Sequence, residues 1–214
     1  MPRRAPRRVD PTLDLSQYLL APDDIPAPWD AARLFGRAAP LEIEVGSGKG
    51  LFLAAAAAAR PEHDFLGIEI ARKFAMVVAA RLARGTLKNA KILNGDAERL
   101  FAESLPDATL SAVHVYFPDP WWKKRHRKRR LLNERFVRDV ERTLSPGGTL
   151  HFWTDVEEYF QASLELIAQA TTLGPPREVP ERPPEHDLDY RTHFERRMRL
   201  HGQPIYRAEF VKRV

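Results

Sequence analysis

Cysteine is absent from the 214 residues, which excludes disulfides, thiolate nucleophiles and thiolate-ligated metal centres and fits a reducing, cytoplasmic setting. Long apolar runs are missing too. The one candidate, Leu51 to Ala59, is internal and far short of the ~20 residues a spanning helix needs, so it reads as a buried helix and no membrane association is expected. No H-E-x-x-H occurs, and His63, His151, His186, His193 and His201 show no metal-ligand spacing, so no metal is expected. A G-x-S-x-G elbow does not form around Ser47, because Val45 stands in the first glycine's place. His114 alternates with apolar residues and reads as packed rather than catalytic.

What the chain does have is a concentrated positive charge. Lys plus Arg number 34 against 29 Asp plus Glu, and seven of the 34 lie between Lys123 and Arg130, leaving 27 against 29 elsewhere. A local excess of this kind is a footprint for a polyanion. The length and ordinary apolar share suit one soluble domain with trimmings. Residues 1–40 are Pro-rich and without pattern, and the prolines in "MPRRAPRR" spoil the amphipathic helix of a transit sequence, so an N-terminal arm, partly flexible, is expected before a domain over 41–214.

From Leu41 the pattern becomes regular. Strand-length apolar runs at Leu41 to Val45, Phe65 to Ile70, Lys91 to Leu93 and Ala112 to Phe117 alternate with segments of helical composition. This β-α-β-α order predicts an α/β fold, a mostly parallel sheet with helices on both faces. A helix over Leu131 to Leu144 should stop at the breakers of "SPGG", followed by a strand at Thr149 to Thr154 and a helix over Val156 to Thr171. The Pro-rich Gly174 to Pro184 reads as a loop. Phe194 to Leu200 and Ile205 to Val211 read as two strands joined by a tight turn, a C-terminal antiparallel hairpin.

The first strand is followed by "EVGSGKG", Glu44 to Gly50. A Walker loop fails here, since Ile43 stands where its first Gly belongs and Gly50 where its hydroxyl belongs. The dinucleotide pattern fails at Leu51. What remains is an acid and three alternate glycines, Gly46, Gly48 and Gly50, at a strand-to-helix turn, which resembles the first motif of Rossmann-like S-adenosylmethionine (AdoMet) methyltransferases. Glycines let backbone approach a ligand without a Cβ clash. Glu69 ends the second strand, where an acid accepts hydrogen bonds from both ribose hydroxyls of a nucleoside cofactor; a strand-end Glu reaching water is the plain alternative. Asp96, after the third strand, suits either an adenine contact or a cap for the helix begun by Ala97.

The fourth strand runs into "FPDPWWKKRHRKRR", Phe117 to Arg130. In open α/β sheets the ligand lies outside the carboxyl ends of the strands, so Asp119 is expected to face the cofactor loop. Pro118 and Pro120 restrict the backbone on both sides of it. Trp121 and Trp122 offer faces for bases, and the basic run suits phosphates, although such a run is also compatible with a solvated face or an import signal.

Glu44 to Gly50, "GIE" at Gly67 to Glu69, "FPDPW" with its basic run, "TD" at Thr154 and Asp155, and "THFE" at Thr192 to Glu195 together resemble the tRNA (guanine-N7-)-methyltransferase family, bacterial single-chain type. The resemblance covers about Leu41 to Phe210. It implies a Rossmann-like fold and methyl transfer from AdoMet to N7 of guanine 46 in the variable loop of tRNA. It further implies that Glu44, Glu69, Asp96 and Asp119 line the cofactor and that Asp119 is also catalytic. Lys123, Asp155, Thr192, His193, Phe194 and Glu195 would then contact the target nucleotide, with Arg125, His126, Arg127, Lys128, Arg129 and Arg130 on the RNA backbone. Asp155 also suits a helix N-cap. No obligate protein partner is expected, the chain acting as a monomer or homodimer. Three other readings stand beside this one: an exocyclic-amine methyltransferase, since "DPWW" resembles D-P-P-Y; a non-catalytic RNA-binding module; and a nicotinamide oxidoreductase, disfavoured by Leu51.

Overall fold

The structure, a computed structural model, describes residues 9–180 and 192–213. The chain divides into two compact units, Met1–Ala97 and Glu98–Val214. The first contains β1 (Leu19–Leu20), α1 (Ala31–Phe35), β2 (Leu41–Val45), α2 (Leu51–Ala59), β3 (Asp64–Ile68), α3 (Arg72–Arg84) and β4 (Ala90–Leu93). Its strands lie in the order β1-β4-β3-β2, every adjacent pair parallel. Parallel strands are covered on both faces, and β2 and β3 are accordingly buried along their whole length.

Three acids, Glu42, Glu44 and Asp64, enter these buried strands, and two of them meet a guanidinium. Both terminal nitrogens of Arg60 reach the Glu42 carboxylate, and Arg37 donates to Asp64 Oδ1 through its Nε at 2.9 Å and a terminal nitrogen at 2.7 Å. A guanidinium set against each of these carboxylates offsets the cost of burying it.

The residues before β2 are more structured than their composition implies. Tyr18 is buried, the Ile92 N–H donates to the Tyr18 carbonyl at 2.8 Å, and the Asn94 N–H to that of Leu20 at 2.9 Å. Within residues 9–40, Leu19–Leu20 thus pair with β4, while residues 1–8 lie outside the described ones.

The second unit contains α4 (Ala97–Glu103), β5 (Leu110–Tyr116), a 3-10 turn at Lys124–Arg129, α5 (Glu134–Thr143), β6 (Leu144–Thr154), α6 (Glu157–Ala170), β7 (Arg177–Glu178), α7 (His193–Leu200) and β8 (Tyr206–Val211). Strand order is β5-β6-β8-β7, with β5 and β6 parallel and β8 antiparallel to both its neighbours. Alternation along β6 sends Phe152 against Tyr159 and Phe160 of α6, ring centroids 5.8 and 6.0 Å apart. The other face carries His151, stacked at 4.5 Å on His114, whose Nδ1 lies 2.9 Å from the Tyr116 hydroxyl. His114 is thus a packed residue, 2% exposed.

Two expected elements differ. The segment Phe194 to Leu200 is helix, not strand: the Thr192 side chain caps α7 by accepting the Glu195 N–H at 2.9 Å, and "HFERRMRL" contains no β-branched residue to favour extension. β8 finds its antiparallel partners in β6 and β7 instead. "SPGG" likewise stays within β6, because Leu144 already pairs with Leu110 and the Gly147 N–H donates to the Lys212 carbonyl at 2.9 Å; the extra residues are absorbed as a register shift, with Gly147 at φ 79°.

Candidate active site

The glycine turn of the first unit is built by backbone geometry. The amides of Gly46 and Ser47 both donate to the Ile68 carbonyl, at 2.8 and 3.1 Å, so the chain leaving β2 folds over the end of β3. Gly46, Gly48 and Gly50 all have positive φ, and a Cβ on Gly50 would stand 2.7 Å from Val78 Cγ1. Gly67 has ordinary dihedrals but no room: a Cβ there would meet Ser47 Oγ at 2.5 Å, Leu53 Cδ2 at 2.8 Å and Ile92 Cδ1 at 2.9 Å. The "G" of "GIE" is therefore a packing requirement beneath the turn.

Glu69 follows β3 directly and is 3% exposed. Its Oε2 accepts the Gly48 N–H at 3.0 Å and its Oε1 the Ala71 N–H at 2.9 Å, so the acid ties the glycine turn to the start of α3. Each carboxylate oxygen has a second lone pair that can take a ribose hydroxyl without breaking the tie. The backbone around it is held by Asn94, whose Nδ2 donates to the carbonyls of Glu69 at 3.0 Å and Ile70 at 3.1 Å. Ile70 itself is 74% exposed. Asn94 and Ile70 were not among the expected site residues; the signal for Asn94 was its place in "LNGD", directly after a strand. Asp96, two residues on, is exposed.

Glu44 is the unusual group. It is 3% exposed, and its Oε2 has no hydrogen-bond partner among the described residues. Burial pushes its carboxyl up to about 8, against the lowering effect of the Ser47 side chain and with a further rise from the Glu69 charge. An acid held in this state leaves a buried polar oxygen with no partner among the described residues beside a glycine turn. The chemistry of the set, two buried carboxyls, loop amides at the start of α2 and an exposed Ile70, fits a nucleoside carrying an amino-acid chain.

In the second unit the "FPDPWW" turn leaves β5 under strain. Phe117 and Trp121 have φ 51° and 46°, a region that costs a non-glycine residue about 1 to 3 kcal/mol. Between them Asp119 is exposed and Pro118 and Pro120 are half-buried. The Phe117 N–H donates to the Trp153 carbonyl at 2.8 Å, and the Phe117 ring lies 4.9 Å from that of Phe194. The structure thus brings the start of α7 onto the turn that carries Asp119. Within "THFE", Thr192 serves as the helix cap and Glu195, 2% exposed, lies 3.6 Å from both Arg199 and Arg207, so its carboxylate anchors α7 to β8. Asp155 is half-buried in the turn between β6 and α6, and it is not the cap: Val156 holds that position, its N–H donating to the Thr154 hydroxyl at 3.3 Å. Lys123, Arg125, Lys128 and Arg129 are exposed, His126 lies edge-on to Trp121 at 5.9 Å, and Trp122 is 66% exposed. The side chains of Arg127 and His193 lie outside the described ones.

The fold has counterparts among solved structures. The 16S rRNA methyltransferase KamB aligns with a TM-score of 0.61 at 16% identity, over 85% of this chain and 92% of that one. A 16S rRNA (adenine(1408)-N(1))-methyltransferase from Catenulisporales acidiphilia gives 0.57 at 18%, over 86% and 90%. The architecture is that of the Rossmann-like methyltransferases. Residues 38–208 match the family model described as "Putative methyltransferase". A Rhodopirellula baltica protein named tRNA (guanine-N(7)-)-methyltransferase is 53% identical over 100% of this chain and 81% of its own length. One of the same name from Alkalilimnicola ehrlichii is 38% identical over 87% and 78%. The chain belongs to the tRNA (guanine-N7-)-methyltransferase family.

Proposed function

We propose that the protein transfers a methyl group from AdoMet to N7 of guanine 46 in the variable loop of tRNA, forming 7-methylguanosine, and that it does so in the cytoplasm. The observation that carries the cofactor reading is the buried, unpartnered oxygen of Glu44 beside the glycine turn. Relatives named for guanine N7 support the acceptor atom.

AdoMet supplies an electrophilic sulfonium methyl, and guanine N7 takes it with an in-plane lone pair while the S–CH3 bond breaks, so no proton has to leave the purine. The protein's task is then positioning, which can be worth several kcal/mol. Glu44 would meet a polar group of the cofactor, Glu69 would take the ribose hydroxyls, Gly46, Gly48 and Gly50 would let the turn approach, and Asp96 would contact the base. Asp119 also contributes to the cofactor site, and its carboxylate stabilises the positive charge that develops on the purine. Lys123, Asp155 and Thr192 to Glu195 hold the nucleotide, while the exposed cations of the run hold phosphates. This assignment of Glu195 is through α7 as a whole, since its carboxylate faces Arg199 and Arg207.

The experiment is incubation with methyl-tritiated AdoMet and unmodified tRNA, followed by cleavage at 7-methylguanosine. Label should be released at one site and vanish when the variable-loop guanine is replaced. Label on an exocyclic amine, or tRNA binding without AdoMet affinity, would overturn the proposal.

A further inference from the structure

The cations between Lys123 and Arg130 are alike in sequence but not in placement. Arg125, Lys128 and Arg129 are exposed, whereas Arg130 is half-buried and turned back on its own loop. Its Nε donates to the Pro120 carbonyl at 2.8 Å, and its guanidinium carbon lies 4.5 Å from the centroid of the Tyr159 ring. Tyr159 is a firm base for that contact. It is 1% exposed on α6, its hydroxyl accepts the Leu132 N–H at 3.4 Å, and burial pushes its phenol up to about 12, so the ring stays neutral. Arg130, Asp119 and Tyr159 lie close enough for both charges to act on the phenol.

The Pro120 carbonyl is the peptide group between the residue that follows Asp119 and the strained Trp121. A donor fixed on that oxygen fixes the rotation of the peptide and hence the direction in which the preceding carboxylate points. At the other end of the turn Phe117 is held by the Trp153 carbonyl. A guanidinium suits the first post because one planar group stacks on a ring and donates in its own plane, which an ammonium cannot do with the same geometry.

We infer that Arg130 is a positioning residue, which clamps the turn carrying Asp119 by bonding the Pro120 carbonyl while stacked on Tyr159, and that it is not a phosphate contact. This rests on the proposed methyl transfer for its consequence in turnover, but the clamp itself is a property of the protein alone.

The test uses the full chain with Arg130→Gln, Arg130→Lys and Lys128→Gln. Amide hydrogen exchange is read at Asp119, Trp121 and Trp122 against β5 amides as the internal reference. The salt dependence of tRNA binding is read for the Gln variants, and kcat at saturating AdoMet and tRNA for the Arg130 variants. Both Arg130 substitutions should speed exchange in the turn about tenfold while β5 is unchanged, and kcat should fall about tenfold or more, as small displacements of a positioned group do. The salt slope of Arg130→Gln should equal that of the parent, while Lys128→Gln lowers it by ~0.7 to 0.9 with no change in exchange. A lowered slope in Arg130→Gln with exchange unaltered would overturn the inference. So would faster exchange everywhere with no local excess, which marks a merely structural residue. Where Arg130→Gln fails to fold, Arg130→Lys carries the same exchange and kcat readouts. A parent protein that methylates no guanine would sink the proposed function, yet the exchange result would still decide the clamp.

Discussion

The two units each present an acid just past the end of a strand, and they hold it in opposite ways. Glu69, in the first, is 3% exposed and receives a backbone N–H on each oxygen. Asp119, in the second, is exposed and sits between two residues of positive φ, its turn tied down through neighbouring carbonyl and ring contacts. A carboxylate that only has to hold a cofactor can be aimed by burial and main-chain amides. One that works on a large nucleic acid, as proposed for Asp119, has to stay open to solvent, and strain with a clamp beneath it would then supply the aim.

Removing the tie at the buried acid should have the largest effect. Glu69→Ala loses the two bonds that join the glycine turn to α3 and the acceptor for the ribose, and a charge-assisted bond is worth about 1.5 to 3 kcal/mol. AdoMet affinity should therefore fall by about a hundredfold or more in calorimetry, with tRNA affinity retained. Next comes Gly67→Ala, where a Cβ would meet three neighbours at 2.5 to 2.9 Å. Overpacking of this sort costs about 1 to 3 kcal/mol, to be read as a lower urea midpoint.

Glu44 sharpens the comparison through pH. Its carboxyl titrates near 8 instead of the ordinary 4.5, so between those values the folded chain keeps a proton that the unfolded chain releases. Stability is therefore lost as pH rises through that window. Glu44→Gln should flatten the loss, leaving the cofactor-free variant more stable than the parent by on the order of 2 kcal/mol at pH 8 and little different at about pH 5. Denaturant titrations at the two pH values check it. Weaker AdoMet binding in the same variant would show the function that the strained acid serves. The smallest effect belongs to single exposed cations: Arg125→Gln should lower the salt slope of tRNA binding by ~0.7 to 0.9 and weaken binding alike for all tRNAs.

Much of this was legible in the sequence, for physical reasons that also mark where legibility ends. β2, α2, β3 and β4 announce themselves because Leu, Ile, Val and Phe recur at strand length between segments of helical composition, and the turn after β2 needs glycine. β1 does not, since two residues have no periodicity and Leu19–Leu20 becomes a strand only by pairing with β4. α7 is hard to tell from a strand because Phe, Met and Leu at short spacing suit either element; the deciding signal is Thr192 with Glu195 three residues later, a capping pattern that also suits substrate contact. Asp155 could be a cap on paper; Val156 holds that position, and no side chain caps the helix. Arg130 is the clearest limit. Among seven cations nothing in the letters distinguishes a side chain that faces solvent from one that stacks on Tyr159, a residue 29 positions later in the chain.

The most direct test of the account is the single-turnover rate of methyl transfer by Asp119→Asn, with enzyme in excess and saturating AdoMet and tRNA, so that binding losses are compensated. The substitution keeps shape and removes charge. The account predicts a rate about a hundredfold below that of the parent, the usual scale for one electrostatic stabiliser of a transition state. A rate within twofold of the parent would contradict it, and would mean that the carboxylate between Pro118 and Pro120 has no part in the chemistry.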